Sequence, residues 1–188
     1  MEVSSNTSEK ELAALCAKSD RSACRELYTR YAARVYMLCF RYSNDREEAE
    51  DLTHDTMIEV FGSIKRFSYK GEGSLYAWIR KIAFYVTVDW IRKRRVLDVS
   101  PLREDEPVID ESGTDDQTAD IPVPALMEMI STLPETQRLI LNLYCIDGVS
   151  HKEIAEMLGI KMKTSSSLLS KAKKALSEKI KEYLNKNK

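Results

Sequence analysis

Two histidines, four cysteines and an acidic run from Glu47 to Asp51 are the residues of this 188-residue chain that could carry covalent or metal chemistry. A nucleophile needs a neighbouring base, and a metal needs convergent His, Cys or carboxylate ligands. His54 and His151 fall in different halves of the chain, and neither has a cysteine at metal-ligand spacing. His54 stands among acids on a helical pattern, which reads as a surface polar contact rather than a catalytic base. Consecutive acids on a helix point in different directions, so Glu47, Glu48, Glu50 and Asp51 describe a solvated face or partner surface instead of a cation cage. Gly71-Glu72-Gly73 is too short and too acidic to cradle a phosphate and reads as a turn. Cys16, Cys24, Cys39 and Cys145 show no C-x-x-C spacing, and three of them occupy apolar helical positions, as buried thiols in a reducing cytoplasm do. These residues call for no enzyme, no cofactor and no metal. The chemistry they leave is non-covalent recognition.

Recognition residues concentrate in two places. From Ser150 to Leu176 the pattern is that of a helix-turn-helix: Ser150 and Glu153 form an S-x-x-E capping box, Ile154, Ala155 and Leu158 follow at helical spacing, and Gly159 supplies the tight turn. The next helix, starting at Lys163 or Thr164, carries Lys171, Lys173 and Lys174, a composition suited to phosphates. The second place is Lys65 to Arg95, where nine cations alternate with Phe67, Tyr69, Tyr76, Trp78, Phe84, Tyr85 and Trp90. Aromatic rings stack on unpaired bases while Lys and Arg hold the backbone, so this segment suits single-stranded nucleic acid. Trp78 and Trp90 lie near the apolar stripe and read as structural; Lys81, Tyr85, Asp89 and Arg92 share another helix face and are the candidates for DNA contact.

The elements that must position these residues are helical. Residues 1 to 100 contain no proline, and their apolar residues recur with a helical period. One helix, capped by Asp20, buries a face running from Cys24 through Leu27, Tyr28, Tyr31, Val35 and Cys39 to Tyr42. Another begins at Asn44 or Asp45 and buries Ala49, Leu52, Thr53, Thr56, Met57 and Val60 beneath an acidic surface. A third, with Ser74 as its cap, runs to about Arg95 with Ile79, Ile82, Ala83, Val86 and Trp90 inward. Between Asp98 and Asp120 nine acidic residues face Arg103 alone, and four of the five prolines fall between Pro101 and Pro124. That composition predicts an extended or disordered tether. The fold class is therefore all-α, with small helical domains over 1–97 and 125–188 joined by an acidic flexible linker over 98–124. No segment has the length or apolarity to insert in a membrane, and the N-terminus lacks the pattern of a signal peptide.

A domain suited to opened DNA, an acidic tether and a duplex reader together resemble a bacterial sigma factor of the extracytoplasmic-function class, which keeps only regions two and four of the sigma-70 family. Region two is matched by Leu27-Tyr28, Tyr31, Ala49-Glu50-Asp51-Leu52, Asp55, Phe67, Gly71-Glu72-Gly73-Ser74, Trp78-Ile79, Ile82-Ala83, Asp89 and Arg92 to Arg95. Region four is matched by Leu133-Pro134, Arg138, Gly148-Val149-Ser150, Glu153-Ile154-Ala155, Leu158-Gly159-Ile160 and Lys171-Ala172-Lys173.

The resemblance implies a promoter-specificity subunit of RNA polymerase without catalysis of its own. It implies that Glu50, Asp51, Leu52, His54, Asp55 and Met57 meet core RNA polymerase. Phe67, Gly71, Glu72, Gly73 and Ser74, with Arg80, Lys81, Tyr85, Asp89 and Arg92, would take the minus-ten element, melting it and holding a flipped base of the single strand. Arg138, Lys161, Lys163, Thr164, Ser166, Ser167, Ser170, Lys171 and Lys174 would take the minus-35 duplex in the major groove. An anti-sigma factor is implied as a further partner. Departures from the family pattern are His54 where glutamine is usual, Tyr85 where asparagine is usual, and Ser166 and Leu168 in the recognition helix. Leucine donates no hydrogen bond to a base edge, so Leu168 either packs inward or meets a thymine methyl. The competing readings are a stand-alone helix-turn-helix regulator, which leaves the cation and aromatic mixture without a role, and a helical scaffold that binds only proteins.

Overall fold

The computed structural model describes residues 7–97 and 121–186, and all of the regular structure among them is helical. The acidic stretch from Asp98 to Asp120 lies outside the described residues. The chain divides into two compact units, one ending at Arg94 and the other beginning at Arg95.

In the first unit, α1 (Glu9–Ala17), α2 (Arg21–Ser43), α3 (Arg46–Ser63), a 3-10 turn (Ile64–Arg66) and α4 (Ser74–Leu97) follow one another, the last three residues of α4 lying past the division at Arg94. No expectation covered α1, although Ser8 and Glu11 have the S-x-x-E spacing and Leu12, Leu15 and Cys16 follow at helical intervals. Ser8 opens it by accepting the Glu11 N–H, and Leu12, Ala13 and Cys16 bury its inner side. Asp20 opens α2 by accepting the Ala23 N–H at 2.9 Å, and Asp45 opens α3 by accepting the Glu48 N–H at 3.0 Å, so both expected caps are present. Between them Asn44 takes the left-handed conformation that stops α2. Leu27, Val35, Met57, Val60, Leu75, Ile79 and Ala83 close one hydrophobic core. Thr53, Thr56 and Thr87 are buried as well, and each hydroxyl donates to the carbonyl four residues earlier, at 2.6 to 2.7 Å. Those bonds let three polar side chains sit in the core without loss.

The start of α4 differs from the expectation. Ser74 does not cap it: its hydroxyl donates back to the Gly71 carbonyl at 2.6 Å and accepts the Lys70 N–H at 3.2 Å, tying the preceding loop to itself. The cap comes from α1, where Glu9 Oε2 accepts the Leu75 N–H at 3.1 Å. Sequence spacing carries no signal of a partner 66 residues away.

The second unit contains α5 (Val123–Ser131), α6 (Glu135–Leu141), a π-helical turn (Asn142–Ile146), α7 (His151–Leu158) and α8 (Met162–Lys186). Pro122 and Pro134 precede α5 and α6, where proline sets the backbone for a helix start. The packed part of this unit includes residues before position 125, because Ile121 is buried and α5 begins at Val123. Leu133, Leu139, Ile140, Leu143, Ile154, Leu168, Leu169 and Ala172 form the core. Arg138 is only 7% exposed and donates to the Ser131 and Leu133 carbonyls, at 3.3 and 3.4 Å. It fastens the end of α5 to α6 from inside and does not reach a DNA surface, contrary to its sequence assignment.

Removing one cap should be measurable without breaking the core. Asp45→Ala is expected to lower the unfolding free energy by about 1 kcal/mol. Leu52→Ala, on the buried side of α3, is expected to cost about 2–5 kcal/mol. Urea denaturation of the two variants checks both.

Candidate nucleic-acid and partner interfaces

Helix α3 has two chemically opposite sides. Glu50, Asp51, His54 and Asp55 are exposed, whereas Leu52 and Met57 are 3% and 2% exposed and belong to the core. The two apolar residues therefore leave the partner-facing set and act by holding the acidic face in place. Arg46 pairs with Glu50 at 3.2 Å, but both side chains are well solvated, so the acidic field is little reduced. Beside this face lies a groove of about 610 Å³ between α2 and α3, lined by Tyr28, Ala32, Ala33, Tyr36 and Met37 together with Glu50, Asp51, Thr53 and His54. Tyr28 and Met37 are 44% and 64% exposed, so Tyr28 is not the inward residue that its spacing suggested. Met37 was the available signal: an apolar residue off the buried stripe of α2.

The loop from Phe67 to Ser74 and the outer face of α4 form the second surface. The Phe67 ring lies 5.4 Å from that of Trp78, and both are partly buried against the core, as is Trp90. Gly71 and Gly73 have φ of +126° and +83°, so any side chain there would be strained. Arg80, Lys81, Tyr85 and Arg92 are exposed along α4. Tyr85 is 55% exposed, and Lys81 Nζ stands 5.9 Å from its ring centre, an aromatic face and a cation presented together. Asp89 is bound by Lys93 at 2.9 Å and Arg92 at 3.0 Å. Those hydrogen bonds, Lys93's foremost, hold its carboxyl below the usual carboxylate range. Asp89 thus orients the cations at the end of α4 and offsets part of their charge.

The third surface is built by the helix-turn-helix. Ser150 accepts the Glu153 N–H at 3.3 Å while Glu153 accepts the Ser150 N–H at 3.0 Å, completing the expected capping box. Gly159 closes α7 with φ of +65°. The turn is then fixed by a contact absent from the sequence reading. His151 Nδ1 shares a 2.9 Å hydrogen bond with the buried Ser165 of α8, and the Tyr144 ring stacks on the imidazole at 4.3 Å. On α8, Ser165, Leu168, Leu169 and Ala172 face the core, which settles Leu168 as an inward packing residue. Lys163, Ser167, Ser170 and Lys174, at i, i+4, i+7 and i+11, fall on the opposite side. Within that row Lys163 and Lys174 are exposed and Ser167 and Ser170 half-buried; Thr164, Ser166 and Lys171 flank it, also half-buried, and Lys161 is exposed just before α8. Among the described residues no group of His, Cys, Asp or Glu is arranged to hold a metal ion.

The pattern described as "Sigma-70 region 2" matches residues 27–96, and "Sigma-70, region 4" matches residues 124–176. The chain is 31% identical over 165 residues to the ECF RNA polymerase sigma factor SigE of Mycolicibacterium smegmatis, a match that spans 86% of this chain and 62% of that protein. To the ECF RNA polymerase sigma factor SigW of Bacillus subtilis it is 26% identical over 175 residues, covering 88% of this chain and 92% of that one. Among solved structures it is similar to the sigma factor RpoE in complex with the anti-sigma factor NepR from Bartonella quintana, at 21% identity and a TM-score of 0.46 over 84% of this chain and 96% of that chain. Two helical units matching regions two and four define a transcription initiation factor of the sigma type. The chain belongs to the sigma-70 family, in its extracytoplasmic-function class.

Burial first, and Lys173 second, lower the pKa of His151 from 6.5. The folded protein therefore favours the neutral ring, and in the unfolded chain the ring takes its proton near the ordinary value. The stability this confers is complete above about pH 6.5 and is lost as pH falls below it toward the folded-state value. Thermal unfolding should thus show a midpoint that declines from pH 7.5 to pH 5.5, and His151→Phe should flatten that decline.

Proposed function

We propose that this protein binds core RNA polymerase as a promoter-specificity subunit, recognises and melts promoter DNA, and directs transcription initiation. In this reading Glu50, Asp51, His54 and Asp55 on α3 meet the polymerase, and the electrostatic field of the acidic face guides the encounter. Loop residues Phe67 and Gly71 to Ser74, with Arg80, Lys81, Tyr85 and Arg92 of α4, take the minus-ten strand once it is unpaired, Tyr85 stacking and the cations holding phosphates. Lys161, Lys163, Thr164, Ser166, Ser167, Ser170, Lys171 and Lys174 take the minus-35 duplex, the short hydroxyls reaching base edges and the lysines the backbone. Asp89 positions Arg92 and Lys93 rather than meeting the negatively charged strand itself. The protein carries out no reaction of its own and works in the cytoplasm. An anti-sigma factor that covers these surfaces is the partner that would hold it inactive.

One observation carries this reading: a single chain bears two cation-lined helix faces of different chemistry, aromatic on α4 and hydroxyl-rich on α8. The first suits separated bases and the second suits paired ones. No helix among the described residues is long and apolar enough to cross a membrane.

The decisive experiment mixes the purified protein with sigma-free core polymerase and genomic fragments and maps transcription starts. Reproducible starts that depend on the protein support the reading; no stable core complex and no initiation would sink it. Reversing Glu50 and Asp51 to lysine should weaken core binding about tenfold or more, as expected for wrong-sign charges at an interface, with circular dichroism unchanged. Lys163→Ala and Lys174→Ala should each flatten the salt dependence of minus-35 duplex binding by about 0.9 in the log–log slope. An unaltered slope removes that lysine from the phosphate contacts.

A further inference from the structure

Helix α1 is the part of the first unit that the function has not yet used. It lies before residue 27, where the match to region 2 begins. It nevertheless reaches both ends of the loop assigned to the minus-ten strand. At the near end α1 packs on the 3-10 turn Ile64–Arg66, and Leu12 and Ile64 share the buried core. At the far end Glu9 Oε2 accepts the Leu75 N–H at 3.1 Å, inside the first turn of α4. The other carboxylate oxygen, Oε1, accepts the Tyr31 hydroxyl at 3.0 Å, so the carboxylate is itself held from α2. Burial, and then the bond to Glu9, push the Tyr31 phenol up to about 12, so it remains a donor throughout the ordinary pH range. Tyr31 in turn stacks on Tyr76, the residue after Leu75, at 5.9 Å. Arg30 donates to the Thr7 carbonyl at 2.9 Å and ties down the chain as it enters α1.

A helix N-terminus attracts anions because its first N–H groups have no partners within the helix. Here that position is taken by a protein carboxylate. Glu9 therefore fixes where α4 begins, and with it the last residues of the loop, Gly71 to Ser74. It also leaves the Leu75 N–H engaged, so that a DNA phosphate would have to displace Glu9 to use it. Within the loop the Ser74 hydroxyl bonds the Gly71 carbonyl and the Lys70 N–H, and Glu9 adds an anchor from outside it, at the residue after Ser74.

We propose that Glu9 is a positioning residue for capture of the minus-ten strand, holding the loop and the start of α4 in the geometry that discriminates one unpaired sequence from another. The proposal rests on the assignment of that loop to minus-ten DNA. The test uses holoenzyme assembled from the full chain and core polymerase. It compares affinity for a single-stranded oligonucleotide carrying the minus-ten strand of a promoter mapped with this holoenzyme against a scrambled oligonucleotide. Glu9→Ala should reduce the preference for the correct strand on the order of tenfold, the scale of losing a charge-assisted hydrogen bond, with core affinity and scrambled-strand affinity unchanged. Glu9→Gln, which keeps one acceptor oxygen, should recover part of the preference. Tyr31→Phe leaves the ring stack and removes only the hydroxyl that steadies Glu9, so it should move the preference in the same direction and keeps the test sound if Glu9→Ala folds poorly. Full preference in Glu9→Ala and Tyr31→Phe, or a parallel loss of core affinity, would overturn the proposal. A wild-type holoenzyme that shows no preference would instead overturn the assignment of the loop, and this proposal with it.

Discussion

Every helix begins with N–H groups that have no acceptor within it, and the way this chain satisfies them determines where its surfaces lie. Ser8, Asp20, Asp45 and Ser150 each supply an oxygen from the residue just before the helix, so α1, α2, α3 and α7 start at fixed points. A fixed start sets the rotation of everything after it. Moving each residue of α3 into the place of the next would turn Met57 outward and carry Asp51 and Asp55 into the core. The division of α3 into buried apolar and exposed acidic sides thus depends on one aspartate oxygen as well as on the hydrophobic effect.

The interfaces share a construction in which the residues that touch a partner differ from those that aim them. On α3 the acids are presented by a buried stripe. On α4 the exposed Lys81 and Tyr85 project from a helix held by Leu75, Ile79 and Ala83, and Asp89 arranges the neighbouring cations. On α8 the outward row of lysines and serines is placed by an inward row of nearly equal length, and the His151–Ser165 bond joins it to α7. Because side chains that aim are buried or paired, changing them alters geometry before it alters charge. Substitution of the outward residues does the reverse.

Local rules made much of this legible in the sequence. Spacing of apolar residues and cap residues gave the helices of the first unit after α1, the capping box and the Gly159 turn, because the interactions responsible span three or four residues. What escaped has longer reach. Glu9 acts on Leu75 through space, Arg138 answers carbonyls at the end of another helix, and His151 finds Ser165 across the turn; none of these follows from period or composition. Leu52, Met57 and Arg138 were assigned to surfaces because motif positions mix residues that touch with residues that support, and a motif does not distinguish them. Helix α1 was missed although Ser8-x-x-Glu11 repeats the spacing that marks α7, a helix one residue shorter.

The short side chains on α8 bear on how such a reader changes over time. Ser166, Ser167 and Ser170 are short and half-buried, so they keep the backbone of the helix close to whatever it approaches. Replacement of a long base-reading residue deletes a contact before a new one can arise. A serine is an easier starting point, since a larger polar residue can add a contact while the lysines continue to hold the backbone. Sequence preference can therefore drift by gains instead of losses, and two genes descended from a common ancestor could part company at these positions without passing through a form that binds nothing.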